Sequence, residues 1–551
     1  MFVLCVPVTA QASFKDVSNN YWGYYEINFL KDKNVIQGFL DGTFRPGVTI
    51  TKKDAAVMLT KAMQLEVLEQ PSVIPVDMKP NSPGYQEVLA VLDKGLLSVN
   101  ENDGAFNPSQ PLLRKDMAQA LAVGFSFVGK GESKFTDVPM DSLYYPYIDA
   151  IDFFKVSTGY GDGTFRPEEI VNRGQFTAFL ARIYSKPLEY TIMQNGQEVG
   201  RAQREEDAIE LALQFTGATV HPVSHHMKEF SSTLPSFNQT GIKNGVLIYN
   251  GKEEKETFTS DYFVPYLVSD PASRSGKMFD TFIIVAIRYP NGDTVGEYID
   301  TVKNQANYEE WQWMIDNTFK KDGALVQLNK AAGELGKKAN IYIAVPFPRV
   351  SGTLVNLDGE ELEITLDTRQ ELVEWYMATV EERLRESKFQ NLNHMGYYWM
   401  SETVRNKQDE SLLPKVTESA HILGKSFIFS PHATSTNFEN WKSFGFDAAY
   451  LQPNAFRHYF NEKEVQTRLH QGFIRAQVYG SGINIELNSY GPHQMLAGLE
   501  NYKQYVDFAN RYGLPEQSYI HYQGTEMVSR MANYTEPGYR DAYELLKTIV
   551  R

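Results

Sequence analysis

Glu402 closes the apolar run GYYWMSE, and Glu486 lies inside GINIELNS, where Ile483, Ile485 and Leu487 alternate with Asn484, Glu486 and Asn488. A period of two puts the second set on one face of a strand. A carboxylate aimed inward among asparagines is costly unless it is paired or used. Two carboxyls about 5 to 5.5 Å apart, one kept protonated and the other ionised, have the parts for retaining cleavage of a glycosidic bond. Tyr397, Tyr398 and Trp399 are expected to form an aromatic setting around Glu402 that raises its pKa and stacks on a sugar ring. Arg288, Asn484 and Asn488 offer positive charge and donors near Glu486. His432, Gln452, Asn454 and Glu526 end other apolar runs and are candidate hydroxyl binders. A plainer reading stands beside this one, with Glu402 a loop carboxylate and Glu486 tied to Arg288 as a buried pair.

The elements that must position these residues begin near Gly245. Eight apolar runs alternate with helical patterns: GVLIYN, FDTFIIVAIR, NIYIAVPFP, HMGYYWMSE, KSFIFSPH, FDAAYLQPN, GINIELNS and SYIHYQG. Alternation of this kind predicts a parallel sheet with crossover helices, and eight strands over this length suit a (β/α)8 TIM-like barrel, with an open doubly wound sheet as the alternative. No GxGxxG or phosphate loop follows the early strands, which argues against the nucleotide-binding form of that alternative.

Carboxylates ending strands four and seven resemble those of clan A glycoside hydrolases. The resemblance implies an acid/base at Glu402 and a nucleophile at Glu486, with Arg288 ending strand two and Tyr450 on strand six orienting the nucleophile. Tyr398, His432, Gln452, Asn488 and Tyr522 complete the implied substrate-binding set. Ser401 stands where that clan commonly has asparagine, and Tyr522 with Gln523 where tryptophan is frequent. The C-terminal part also resembles an uncharacterised domain family that follows S-layer-homology repeats in Bacillus-like proteins.

Upstream, three segments repeat. The first runs FKDV, Trp22, GFLDGTFRP and ITKKDAAVMLTKAM; the third runs FTDV, GYGDGTFRP and VNRGQFTAFLARIY; between them a worn copy keeps Asp77, NDGAFNP and LLRKDMAQALAVGF. Asp41, Asp103 and Asp162 are spaced by 62 and 59 residues, and Lys52, Arg114 and Arg173 keep the same spacing. Each copy predicts a helix, an Asp-Gly turn needing positive φ and a second, capped helix, and a unit this small must share its core with the others. The pattern resembles the S-layer-homology (SLH) family, whose three copies form an all-α pseudo-threefold trimer. That resemblance implies binding of secondary cell-wall polysaccharide, often pyruvylated, through the cations Lys52, Arg114 and Arg173 and through Asp16 with Trp22 and Asp137 with Tyr145. The plainer alternative is that these charges cap helices and pair locally.

The remaining features bound the protein's class. A formal charge of -15 argues against nucleic acid and anionic lipid as partners. The one cysteine, Cys5, sits in the apolar opening MFVLCVPVTAQAS, where Ala10 and Ala12 resemble a signal-peptide cleavage pattern lacking its charged start. Export to the cell wall of a Gram-positive-type bacterium is therefore expected. No other apolar run approaches the roughly 18 residues of a span, so no membrane insertion is expected. His221, His225 and His226 lie close together but lack matching carboxylates and read as ordinary loop histidines. Neither metal nor organic cofactor is called for. The expected order is a signal remnant (1–12), SLH copies at 13–68, 69–130 and 131–186, a small α+β spacer (187–240) with an Asn195-Gly196 hairpin, and the barrel (241–551). Three functions compete: a surface hydrolase acting on a polysaccharide, a non-catalytic glycan-binding or envelope protein, and an enzyme of another class such as a deacetylase.

Overall fold

The computed structural model describes residues 14–18, 21–66, 69–250, 257–286, 307–457, 459–487, 491–524, 526–534 and 537–550. The opening with Cys5, Ala10 and Ala12, and the expected site residues Arg288 and Asn488, lie outside the described residues. The chain forms two compact units, one running to Leu188 and including Ser224–Glu229, the other comprising Glu189–Val223 and the chain from Phe230 onward. None of the described helices is long and apolar enough to cross a membrane.

In the first unit each copy supplies two helices: α1 (Tyr24–Asp32) and α2 (Lys52–Met63), α3 (Tyr85–Asp93) and α4 (Arg114–Gly124), α5 (Tyr145–Phe153) and α6 (Arg173–Tyr184). Between them the Asp-Gly turns place Gly42, Gly104 and Gly163 at φ 83, 71 and 79°, as the sequence requires. Behind each turn a phenylalanine (Phe44, Phe106 or Phe165) is fully buried. The opening aspartates hold these turns in place. Asp16 accepts from the N–H groups of Phe44 and Arg45, Asp77 from Phe106 and Asn107, and Asp137 from Phe165 and Arg166, all at 2.7 or 2.8 Å. The worn second copy thus keeps the same skeleton.

The three copies close on one another through a ring of backbone bonds. Ile50 donates to Val171, Val171 to Leu112 and Leu112 to Ile50, each at 3.0 Å. The expected wall-binding cations sit at the same junctions and reach into the next copy. Lys52 lies 4.5 Å from the Phe106 ring, Arg114 4.6 Å from Phe165 and Arg173 4.7 Å from Phe44. Arg114 Nε also donates to the Phe165 carbonyl and Arg173 Nε to that of Phe44. Counting from the opening aspartates, Tyr145 matches Tyr24 and Tyr85, each the first residue of its helix. Its pairing with Trp22 is therefore corrected: Tyr145 is buried, whereas Trp22 is 50% exposed.

The second unit opens with the hairpin expected at Asn195-Gly196, strands Tyr190–Gln194 and Gln197–Ala202, followed by α7 (Glu205–Ala212). A third strand, Thr219–Pro222, pairs antiparallel with the first. The barrel is closed and built of eight parallel strands: β1 (Asn244–Asn250), β2 (Thr281–Ala286), β3 (Ala339–Val345), β4 (Leu392–Trp399), β5 (Ser426–Phe429), β6 (Ala448–Leu451), β7 (Gly482–Glu486) and β8 (Tyr519–Tyr522). Each overlaps one of the eight apolar runs, with strands β1, β3 and β4 starting one or two residues earlier than their runs. Spatial order follows chain order, with β8 pairing β1, so the carboxyl ends of all eight strands share one rim.

Asp137→Ala leaves two backbone N–H groups at a turn without their acceptor. It is expected to destabilise the first unit by about 1–3 kcal/mol, read as a lower urea midpoint for that unit; an unchanged midpoint would show that the aspartate does not hold the turn.

Candidate active site

Glu486 ends β7 with its side chain only 1% exposed. Its Oε2 accepts from two donors, the Asn454 N–H and the Tyr505 hydroxyl, both at 2.5 Å. The Tyr505 oxygen in turn accepts from the Ala455 N–H at 3.1 Å. Asn454 can present its N–H this way because it adopts φ 55°, a left-handed conformation that asparagine tolerates better than most residues. Glu486 Oε1 is buried and has no hydrogen bond among the described residues. Burial pushes the Glu486 carboxyl up to about 7, against the Tyr505 and Asn454 donors and the charge of His432, while Glu402 adds to the rise.

Glu402 lies just beyond β4, 20% exposed. Gln452 Nε2 donates to its Oε1 at 2.8 Å and also to the Ser430 carbonyl at 2.7 Å. His432 Nε2 contacts Glu402 Oε2, while His432 Nδ1 contacts Asn454 Nδ2. The His432 ring thus bridges the Asn454 side-chain amide and the Glu402 carboxyl. A continuous line therefore runs from Glu402 through His432 and Asn454 to Glu486, crossing the ends of β4, β5, β6 and β7. Below it, Asn484 Nδ2 donates to Ser430 Oγ inside the barrel.

A family model described as domain of unknown function (DUF4855) matches residues 244–548, more than half of the chain. The chain belongs to this family. Ahead of the DUF4855 barrel, the S-layer homology domain matches residues 13–56, 76–118 and 134–177. Among curated proteins the chain is similar to the surface-layer 125 kDa protein of Lysinibacillus sphaericus, 24% identical over 278 residues, covering 46% of this chain and 23% of that one. It is also similar to the S-layer protein sap of Bacillus anthracis, 27% identical over 186 residues, covering 32% and 22%. It thus spans under a quarter of the length of either. Among solved structures it resembles a GH5-4 broad specificity endoglucanase from an uncultured bacterium, at 10% identity and a TM-score of 0.31, covering 59% of this chain and 97% of that one.

Within the DUF4855 barrel the other expected residues divide. Tyr522 ends β8 beside Tyr249, with ring centroids 5.9 Å apart, and Phe456 lies 6.1 Å from Tyr522. The Tyr249 hydroxyl bonds Tyr522 and lies within electrostatic reach of Tyr398 and Glu402. Three expectations are corrected. Tyr450 does not orient Glu486, because its hydroxyl bonds Ser518 at 2.8 Å, at the opposite end of β8 from the rim. Tyr397 points to the outer helices, donating to the Met377 carbonyl and Glu381. Trp399 packs on Phe347 and Phe427. Only Tyr398 of that triplet faces the site. Glu526 sits 3.6 Å from Arg530 at a helix start, and Gln523 is buried between Tyr266 and the Leu247 carbonyl.

Tyr505, Tyr249 and Phe456 escaped the sequence reading. Tyr505 lies in the helix Gly491–Arg511 among buried Tyr502, Phe508 and Ala509, a stripe that reads as ordinary core. Among the described residues no group of three His, Cys, Asp or Glu side chains is arranged to hold a metal.

The folded Glu486 carboxyl keeps its proton to about 7, the unfolded one only to its ordinary value of 4.5. Its contribution to stability is therefore greatest below that ordinary value and is lost as pH rises through about 7. Glu486→Gln should match wild type in thermal unfolding at acid pH and exceed it by up to about 3 kcal/mol at about pH 8; a pH-independent difference would contradict the buried, proton-holding state.

Proposed function

We propose that this is a cell-surface protein, held on secondary cell-wall polysaccharide by its three SLH copies, whose barrel is a retaining glycoside hydrolase acting on a polysaccharide. The catalytic half is carried by one observation, the hydrogen-bonded line that joins Glu402 to Glu486 across the rim. That line couples the two carboxyls through one histidine and one asparagine at the same end of the barrel. Glu486 has one oxygen clamped by two donors and the other without a hydrogen bond among the described residues, an arrangement suited to a nucleophile. Its Oε1 attacks the anomeric carbon as Glu402 gives its proton to the departing glycosidic oxygen. Glu402 then takes a proton from the water that releases the sugar, so the anomeric configuration is kept. Tyr249, Tyr398 and Tyr522 line the approach to Glu402 as sugar contacts.

The wall-binding half rests on the three S-layer homology matches and on relatives whose names are those of S-layer proteins. Half-exposed Trp22 suits the face of a sugar ring. Lys52 and Arg173, each stacked on an aromatic ring at a junction between copies and partly open to solvent, carry the charge that an acidic substituent on the polysaccharide would meet. Arg114 is only 3% exposed, so its expected contact with the polysaccharide is corrected to a packing role at its junction. Asp16 and Asp137 hold the turns that frame those junctions.

On a glycan panel, Glu402→Gln is expected to lose about 10²- to 10⁴-fold in rate and Glu486→Gln at least as much, with binding to isolated wall fragments unchanged in both. Release of the product with inverted configuration, seen by NMR, would overturn the retaining scheme. Because Glu486 must be ionised to attack, the rate should climb as pH rises through about 7. Tyr505→Phe removes a donor to the ionised form and should move that limb to higher pH; a limb that stays in place would separate it from Glu486.

A further inference from the structure

The hairpin module Glu189–Val223 is bound into the barrel by more than its connection. Tyr190, Ile192, Ala208, Ile209 and Val220 share one buried cluster with Ile474 and Val478 of the helix Glu462–Tyr479, which follows β6. That helix also lies close under the site. At Gly472 an added Cβ would come 2.6 Å from Pro453, the residue before Asn454.

One turn further along, Arg475 bridges the two sides. Its Nε donates to Glu205 of α7 at 3.0 and 3.3 Å, and Gln471 adds a third bond to the same carboxylate at 3.3 Å. Its Nη1 donates to the Ala433 carbonyl. Ala433 immediately follows His432, and its own N–H is held by the Gln452 carbonyl at 2.8 Å. Both backbone polar groups of Ala433, and so the peptides on either side of it, are therefore fixed, one by the residue that holds Glu402 and the other by an arginine anchored in the hairpin module. A guanidinium can serve a carboxylate and a carbonyl together through its separate donors; an ammonium on a flexible stem does not hold that geometry.

We propose that Arg475, oriented by Glu205 of the hairpin module, is a positioning residue for the barrel's site, fixing the Ala433 carbonyl and through it the His432 ring against Glu402. The module is on this view a working part of the barrel rather than a spacer. The proposal rests on the reading of Glu402 and His432 as site residues, and its test needs no substrate. The full chain is labelled with ¹³C-histidine, and the His432 ring signal is assigned by its loss in His432→Asn. Arg475→Lys keeps the charge facing Glu205 but not the bridge, and is expected to displace the His432 signal while the thermal midpoint stays at the wild-type value. Glu205→Gln, which leaves the arginine unanchored, should displace it in the same direction and carries the test if the lysine variant fails to fold. If Glu402→Gln displaces the His432 signal but Glu205→Gln and Arg475→Lys leave it in place, the positioning role is overturned and the site reading survives. If Glu402→Gln also leaves it in place, the contact between Glu402 and His432 fails, and both readings fall together. With a responsive glycan in hand, loss of the bridge should lower kcat by about ten- to a hundredfold with KM little changed; a change confined to KM would contradict it.

Discussion

A carboxylate enclosed at the end of a barrel strand has to be met by donors that do not move, and the arrangement around Glu486 follows from that constraint. Its partners come from the loop after β6 and from the helix after β7, and displacing either would remove a donor to the ionised form and raise the carboxyl's pKa further. The left-handed turn at Asn454 serves two purposes at once. Its backbone faces Glu486 while its side chain meets His432, and this joins the deeply buried carboxylate to the one nearer solvent. Helix Glu462–Tyr479 supports this turn from beneath, and the same helix carries the hairpin module on its other face.

The SLH unit solves a different problem by a related means. Each copy is too small to enclose its own apolar surface, and each leaves a turn whose N–H groups need acceptors. The aspartates supply those acceptors within a copy, whereas the arginines and the lysine reach between copies and cover the next phenylalanine. Charge at these positions is thus used first to build the unit. Lys52 and Arg173 keep a side open to solvent, whereas Arg114 is enclosed.

Strands were legible where alternation or continuous apolar runs met turn residues, and all eight barrel strands fall where those patterns lie. The two glutamates were legible because Glu402 closes such a run and Glu486 falls on the polar face of one. Side-chain direction was less so. Tyr397, Tyr398 and Trp399 are consecutive, so only alternate members can face the same way, and the pleat selects Tyr398. Tyr450 looked suited to Glu486 by type, but an aromatic on a short strand can project toward either end of the barrel, and its hydroxyl found Ser518. Tyr505 was hidden for the opposite reason: a tyrosine on a buried helical stripe carries no local mark of a polar partner. The strand Thr219–Pro222 was missed because four residues ending in proline show too little periodicity to separate them from a loop.

The backbone ring through Ile50, Val171 and Leu112 has a consequence for how the repeats assemble and diverge. Every member gives one bond to one neighbour and takes one from the other, so the ring has no beginning, and any two copies alone would leave a donor and an acceptor unmet. Closure is all or none, and the three copies should appear and vanish together in unfolding. It also explains how the middle copy can drift so far in its side chains. What the circle asks of it is a backbone amide and a carbonyl at Leu112, which almost any residue could supply.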